Sequence, residues 1–200
     1  MGQRGRPRGF DRDAALGKAM ETFWKYGYDG ASMTRLTTAM GIASPSLYAC
    51  FGSKERLFRD AVELYGSTVG AAAQRALEEA PTAYEGISAM LRANIVTFTD
   101  PQRPPGCMVV LAAAAGSARN EEVSAFVTER RQAVRELFRH RLSRGVAAGD
   151  VPATADLDAL AGLYTTVLHG LAIQARDGAD REELQTIIES AMLNAPRAGR

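Results

Sequence analysis

The sequence predicts an all-α chain of about nine helices, and three observations lead there. Apolar residues recur every three or four positions through nearly the whole length. No convincing run alternates apolar with polar residues in a β-branched context. Ser, Asp, Gly and Pro fall where helices would start and stop. A hydrophobic content of 46% in 200 residues supplies a real core, which excludes a disordered chain. No apolar run approaches the ~18 residues of a membrane span, and the N-terminus lacks the apolar stretch of a secretory signal. A cytoplasmic protein with no membrane partner is expected. Cys50 and Cys107 lie far apart, with no CxxC or Cys/His cluster beside them, so neither a disulfide framework nor a metal or other cofactor is expected.

The elements follow in order. Asp11 can cap a first helix that places Leu16, Met20, Phe23 and Trp24 on one face before Gly27 ends it. After the Asp29-Gly30 turn, Ser32 caps a short helix with Met33, Leu36 and Met40 inward, stopped by Gly41. Ser44 followed by Pro45 predicts a new start at Ser44, because proline in the first turn sacrifices no hydrogen bond. That helix carries Leu47, Tyr48 and Phe51 and stops before Gly52. Ser53 caps the next, with Leu57, Phe58, Ala61, Val62 and Tyr65 inward, expected to run to about Glu79.

A larger body begins near Thr82. One helix carries Ile87, Leu91, Asn94, Ile95 and Phe98, and Pro101 to Gly106 break the chain. A short apolar helix from Cys107 to about Ala115 follows. Next comes a long one from about Glu121 to Arg144, striped with Val123, Val127, Val134, Leu137, Phe138 and Leu142. Its arginines from Arg130 to Arg144 read as a solvated outer face, and residues 145–152 as a loop. Helices from about Ala155 to Arg176 and from Arg181 to Leu193 finish the chain. The first of these is apolar on more than one side and must be covered twice, once by its own core and once by a partner helix. Leu160, Val167, Leu168 and Leu171, with Leu184, Ile188 and Met192 from the last helix, are therefore candidates for a homodimer interface.

Charge divides the chain as the helices do. Residues 1–60 hold ten Lys/Arg against six Asp/Glu, while the remainder is net acidic. Arg4, Arg6 and Arg8 stand among Gly and Pro with no acid nearby, as a basic arm.

Two short helices about Gly41 fit a helix-turn-helix, whose second helix meets the major groove of DNA end-on with small polar residues leading. Ser44, Pro45 and Ser46 occupy that end and Tyr48 follows one turn later, placed for phosphate. Lys54, beside the amides that open the next helix, makes a second phosphate anchor, and Thr34 and Thr38 are placed to add others. Arg4, Arg6 and Arg8 can reach an adjacent minor groove.

These residues carry a resemblance. Gly9-Phe10-Asp11, Phe23 through Tyr28, Ser32-Met33-Thr34, Leu36-Thr37, Met40-Gly41-Ile42, Ser46 through Ala49 and Phe51 through Glu55 together resemble the DNA-binding head of TetR/AcrR family regulators. The likeness is specific over residues 9–62. It continues more loosely through Gly106-Cys107-Met108-Val109-Val110 and from Gln174 to Ala179, which look like segments of a broad subgroup with varied effectors. It implies a two-fold dimer of mostly nine-helix subunits that binds a palindromic double-stranded operator and releases it when a small molecule enters the body. The expected division is a DNA-binding domain over 1–62 and an effector-binding and dimerisation domain over 63–200. Cys50 stands where the family often has alanine, and a small buried hydrophobe is its expected role.

Candidates to line an effector pocket are Met90, Ile95, Phe98, Cys107, Met108, Leu111, Phe126, Leu137, Tyr164 and His169. This mainly apolar set suits an apolar or aromatic molecule with one polar handle. Cys107, at the N-terminal start of a helix just after Pro-Pro-Gly, is placed for a thiolate and hence for an oxidant- or electrophile-sensing alternative. An enzyme on a helical scaffold is a remote alternative. The sequence has no distinctively spaced His/Asp constellation, no phosphate-binding glycine loop and no metal motif to support it.

Overall fold

A computed structural model of the chain describes residues 10–114, 120–193 and 195. Among the described residues it holds ten helices and no strand, in the order α1 (Arg12–Gly30), α2 (Met33–Met40), α3 (Ser44–Phe51), α4 (Lys54–Thr68), α5 (Ala71–Glu79), α6 (Ala83–Phe98), α7 (Met108–Ala114), α8 (Glu121–Ala148), α9 (Leu157–Asp177) and α10 (Arg181–Leu193). None is long and apolar enough to cross a membrane.

Most starts follow from side-chain caps. Asp11 accepts from the Asp13 and Ala14 amides, Ser32 from Arg35 and Ser53 from Arg56. Thr82 and Glu85 form a reciprocal capping box on α6. Four boundaries differ from expectation. α1 kinks at Gly27 rather than ending there and continues to Gly30. Ala43, not Ser44, is the N-cap of α3: its carbonyl accepts from Ser46 and Leu47 at 3.0 and 3.1 Å, so Ser44 is already helical and caps nothing. The helix expected to reach Glu79 is two, α4 and α5. The Gly66 to Gly70 stretch, with β-branched Thr68 and Val69, propagates a helix weakly, and the Gly70 amide falls back on the Tyr65 carbonyl at 3.0 Å. α8 runs on to Ala148, with Gly145 facing Val151 and Ala83 so closely that no side chain fits.

Two cores result. The first gathers α1 to α4 around Phe23, Trp24, Leu36, Leu47 and Phe58, and takes in Met108, Ala112, Val123, Phe126 and Val127 from α7 and the start of α8. Cys50 packs half-buried against it. The second fills the body around Ile87, Leu91, Phe138, Tyr164 and Leu184. Arg141 is no part of a solvated face. It is 4% exposed, and it donates from Nε to the Leu77 carbonyl (3.0 Å) and from Nη2 to the Ala80 carbonyl (2.8 Å), pinning the end of α5 to α8.

Head and body are joined by polar contacts as well. Trp24 Nε1 donates to the Gly106 carbonyl at 3.0 Å, buried between α1 and the segment before α7. At the other joint, the Tyr28 hydroxyl donates to Glu55 Oε1 at 2.7 Å, and Asn120, which caps α8 by accepting from the Val123 amide, donates to the same oxygen at 3.3 Å.

Candidate functional site

α2 and α3 meet through Gly41, whose φ of 66° is the left-handed turn that closes α2. Buried Leu36, Met40, Leu47 and Phe51 hold the two helices on the head core, and the opposite side of α3 is open. Ser44, Pro45, Ser46, Tyr48 and Ala49 are all exposed there, Tyr48 by 49%, and Thr34 and Thr38 are exposed on α2. A recess beside them is lined by Phe10, Ile42, Ala43, Ser46 and Cys50. Arg4, Arg6 and Arg8 lie outside the described residues.

Lys54 opens α4 with its Nζ 4.4 Å above the Tyr28 ring. Burial there pushes its pKa below the ordinary lysine value, against the pull of Asp29 and Glu55. The Tyr28 hydrogen bond leads the effects that hold the Glu55 carboxyl below its usual range. Sequence reasoning missed a second cationic group. Arg35 lies 4.6 Å over the Tyr26 ring with Nη1 on the Gly30 carbonyl at 2.9 Å, and Lys25 lies 5.2 Å from the same ring. The only sequence signal was an aromatic beside a lysine.

In the body, a cavity of about 420 Å³ opens between α4, α5, α6, α7, α8 and α9. Of the expected lining, Met90, Phe98, Cys107, Leu137 and His169 face it. The others do not. Met108 and Phe126 are absorbed by the head core, Ile95 and Tyr164 are buried in the body core, and Leu111 lies outside the cavity wall. The wall is also more polar than expected, since Glu63, Gln74, Asn94, Arg130 and Arg131 contribute to it alongside Val62, Tyr65, Val110 and Leu168. Burial, with Arg131 nearby, pushes His169 below its usual pKa.

The surroundings of Cys107 oppose the thiolate. Burial pushes its thiol pKa up, outweighing hydrogen bonds from the Val109 and Val110 amides and from Tyr65. Among the described residues no group of three or more His, Cys, Asp or Glu stands together to hold a metal.

The expected interface residues separate as well. Leu168, Leu171, Leu184 and Ile188 pack into the chain's own core, the last three at 1% exposure or less. Leu160, Val167 and Met192 stay half-buried. Leu163 and Ile173 on α9 are exposed, and no Asp, Glu, Lys or Arg lies between Asp158 and Arg176.

Residues 15–61 match the family described as bacterial regulatory proteins, tetR family, and residues 83–193 match the BetI-type transcriptional repressor C-terminal family. The chain is 34% identical to the HTH-type transcriptional repressor ComR of Escherichia coli (strain K12), over 92% of this chain and 88% of that protein. It is 29% identical to the uncharacterized HTH-type transcriptional regulator YezE of Bacillus subtilis (strain 168), over 94% and 97%. A solved structure of the TetR family transcriptional regulator CifR, a cysteine mutant complexed with 26bp double-strand operator DNA, is 46% identical. It covers 96% of this chain and all of its own, with a TM-score of 0.92.

Proposed function

Since this chain belongs to the tetR family of bacterial regulatory proteins, we propose that it represses transcription as a homodimer on a palindromic operator and leaves that operator when a small molecule occupies the body cavity. It is a DNA-binding transcriptional regulator and not an enzyme. We assign DNA reading to residues 1–62 and effector binding and dimerisation to 63–200, acting in the cytoplasm where the operator lies.

The observation that carries the reading is α4 itself. Its first residue, Lys54, follows α3 directly after the Gly52-Ser53 turn, and Val62, Glu63, Tyr65 and Gly66 further along form cavity wall. One helix therefore touches both sites. A ligand that displaces its far end moves α3, and two recognition helices must stay roughly 34 Å apart to meet successive major grooves. In this assignment Ser44, Pro45 and Ser46 meet base edges, Tyr48, Lys54, Thr34 and Thr38 meet phosphate, and Arg4, Arg6 and Arg8 enter the minor groove. The raised thiol pKa of Cys107 favours reversible ligand binding over a thiolate sensor.

The test is fluorescence anisotropy of the protein on labelled fragments of its own promoter region, with competitor DNA, across a salt series. Saturable binding to a palindromic fragment supports the reading, and binding without sequence preference sinks it. Lys54→Ala should weaken binding about tenfold and lower the slope of log affinity against log salt by about 1, equally across operator sequences. Tyr48→Phe should weaken binding without changing that slope. Unchanged binding by both variants would remove the two phosphate assignments.

A further inference from the structure

Resting on the reading of the cavity as the effector site, we infer that its ligand is an anionic amphiphile, with a carboxylate- or sulfonate-type head held between Arg130 and Arg131 and an apolar body reaching toward Met90, Phe98 and Val110. The inward stripe of α8 is Val123, Val127, Val134 and Leu137, and the two arginines interrupt it where it passes the cavity. Half-buried cations at inward positions are costly unless something pairs with them.

What pairs with them inside the chain is little. Arg130 Nε is buried with no hydrogen-bond partner, its guanidinium lies 5.1 Å over the Phe126 ring, and among the described residues the carboxylate within ion-pair distance is Glu129, 3.8 Å away. Arg131 donates from Nη2 to Thr128 Oγ1 at 3.0 Å, and among the described residues no carboxylate lies within ion-pair distance of it. Glu63 lines the cavity but is exposed and joins neither arginine in an ion pair. Arg141, ten residues further along the same helix, shows what a structural arginine looks like here: its head is spent on two backbone carbonyls. Arg130 and Arg131 instead line the cavity, and a planar guanidinium is shaped for a two-oxygen anionic head. Val62, Met90, Phe98, Val110, Val134 and Leu168 give the wall its apolar part, and about 420 Å³ falls within the usual range for small-molecule sites.

Two fluorescent probes that differ by one anionic group test this: anilinonaphthalene sulfonate and its neutral counterpart phenylnaphthylamine, each titrated into the full chain. The sulfonate should bind at least about tenfold more tightly. Arg130→Met and Arg131→Met should each remove about tenfold of that affinity while leaving the neutral probe within about twofold, and Arg130→Lys should recover part of it. Equal affinity for the two probes in the unaltered protein, or parallel loss of both in the Met variants, overturns the inference. Two blocking variants test the cavity separately: Val110→Phe in its wall and Ser67→Trp on its exposed rim, both checked by thermal melting. If they abolish binding of both probes, the cavity is the site and only the charge preference is in question. If both probes still bind the folded blocked variants, or neither binds the unaltered protein, the cavity reading itself fails, and this inference with it.

Discussion

With the homodimer proposed above, Leu163→Arg should leave the chain monomeric and reduce operator affinity by about a thousandfold, because two linked half-site contacts become one and the gain from a second, intramolecular contact disappears. Leu163 is 48% exposed on a face of α9 that carries Leu160, Val167, Gly170 and Ile173 and no formal charge between Asp158 and Arg176. A long apolar face left open in one chain fits the same face of a second copy across a two-fold axis. An arginine there would bring a charge into that apolar contact from each copy, and both would lose water. Since the site is open in the single chain, the subunit's melting temperature should barely move. Sedimentation velocity and anisotropy on the same preparation decide it. A variant that stays dimeric and binds the operator as before would place the interface elsewhere.

The second large effect is expected at Gly106. A Cβ there would lie 2.5 Å from the Ala172 carbonyl oxygen and 2.9 Å from Leu111 Cδ1, on a backbone held at φ 77°. The same residue's carbonyl receives the buried Trp24 N–H. Gly106→Ala therefore adds a clash with α9 and a strained backbone where the head, α7 and α9 meet, for a loss of about 3 kcal/mol or more. Gly149, at φ 81° with open space around its missing Cβ, separates the two causes. Gly149→Ala should cost about 1 kcal/mol from backbone alone. Urea unfolding midpoints measure both, and equal losses would mean that the contact with Ala172 relaxes without cost.

Local signals were legible and tertiary ones were not. Asp11, Ser32, Ser53 and Gly41 mark helix ends by chemistry confined to a few neighbouring residues, so the head could be read directly. Ser44 failed as a cap because Ala43 could close the first turn with its own carbonyl, and nothing local distinguishes the two. Burial depends on what lies opposite. Leu160 and Leu171 look alike in a helical pattern, but only the structure shows that Leu171 is at 1% exposure while Leu160 is half open. Arginines were read as one solvated face because length and charge suggest it. The carbonyls that receive Arg141 belong to Leu77 in α5 and to its C-cap Ala80, more than sixty residues earlier. Cavity lining was the least legible, since Met108 and Phe126 cross from body helices into the head core, a partition that hydrophobicity does not encode.

The joint at Trp24 has an optical consequence. It is the chain's only tryptophan, it is 2% exposed, its N–H is held by Gly106, and its ring packs edge-on against Tyr65 at 4.9 Å between centroids. Tyr65 is also part of the cavity wall. A molecule entering the cavity thus sits one ring away from the single indole, which stands between the ligand and the DNA-reading head. Excited at its own wavelength, the unlabelled protein should report ligand entry as a change in intensity. It should report loosening of the joint as a red-shifted, more quenchable emission, and the two signals can be timed against each other in one cuvette.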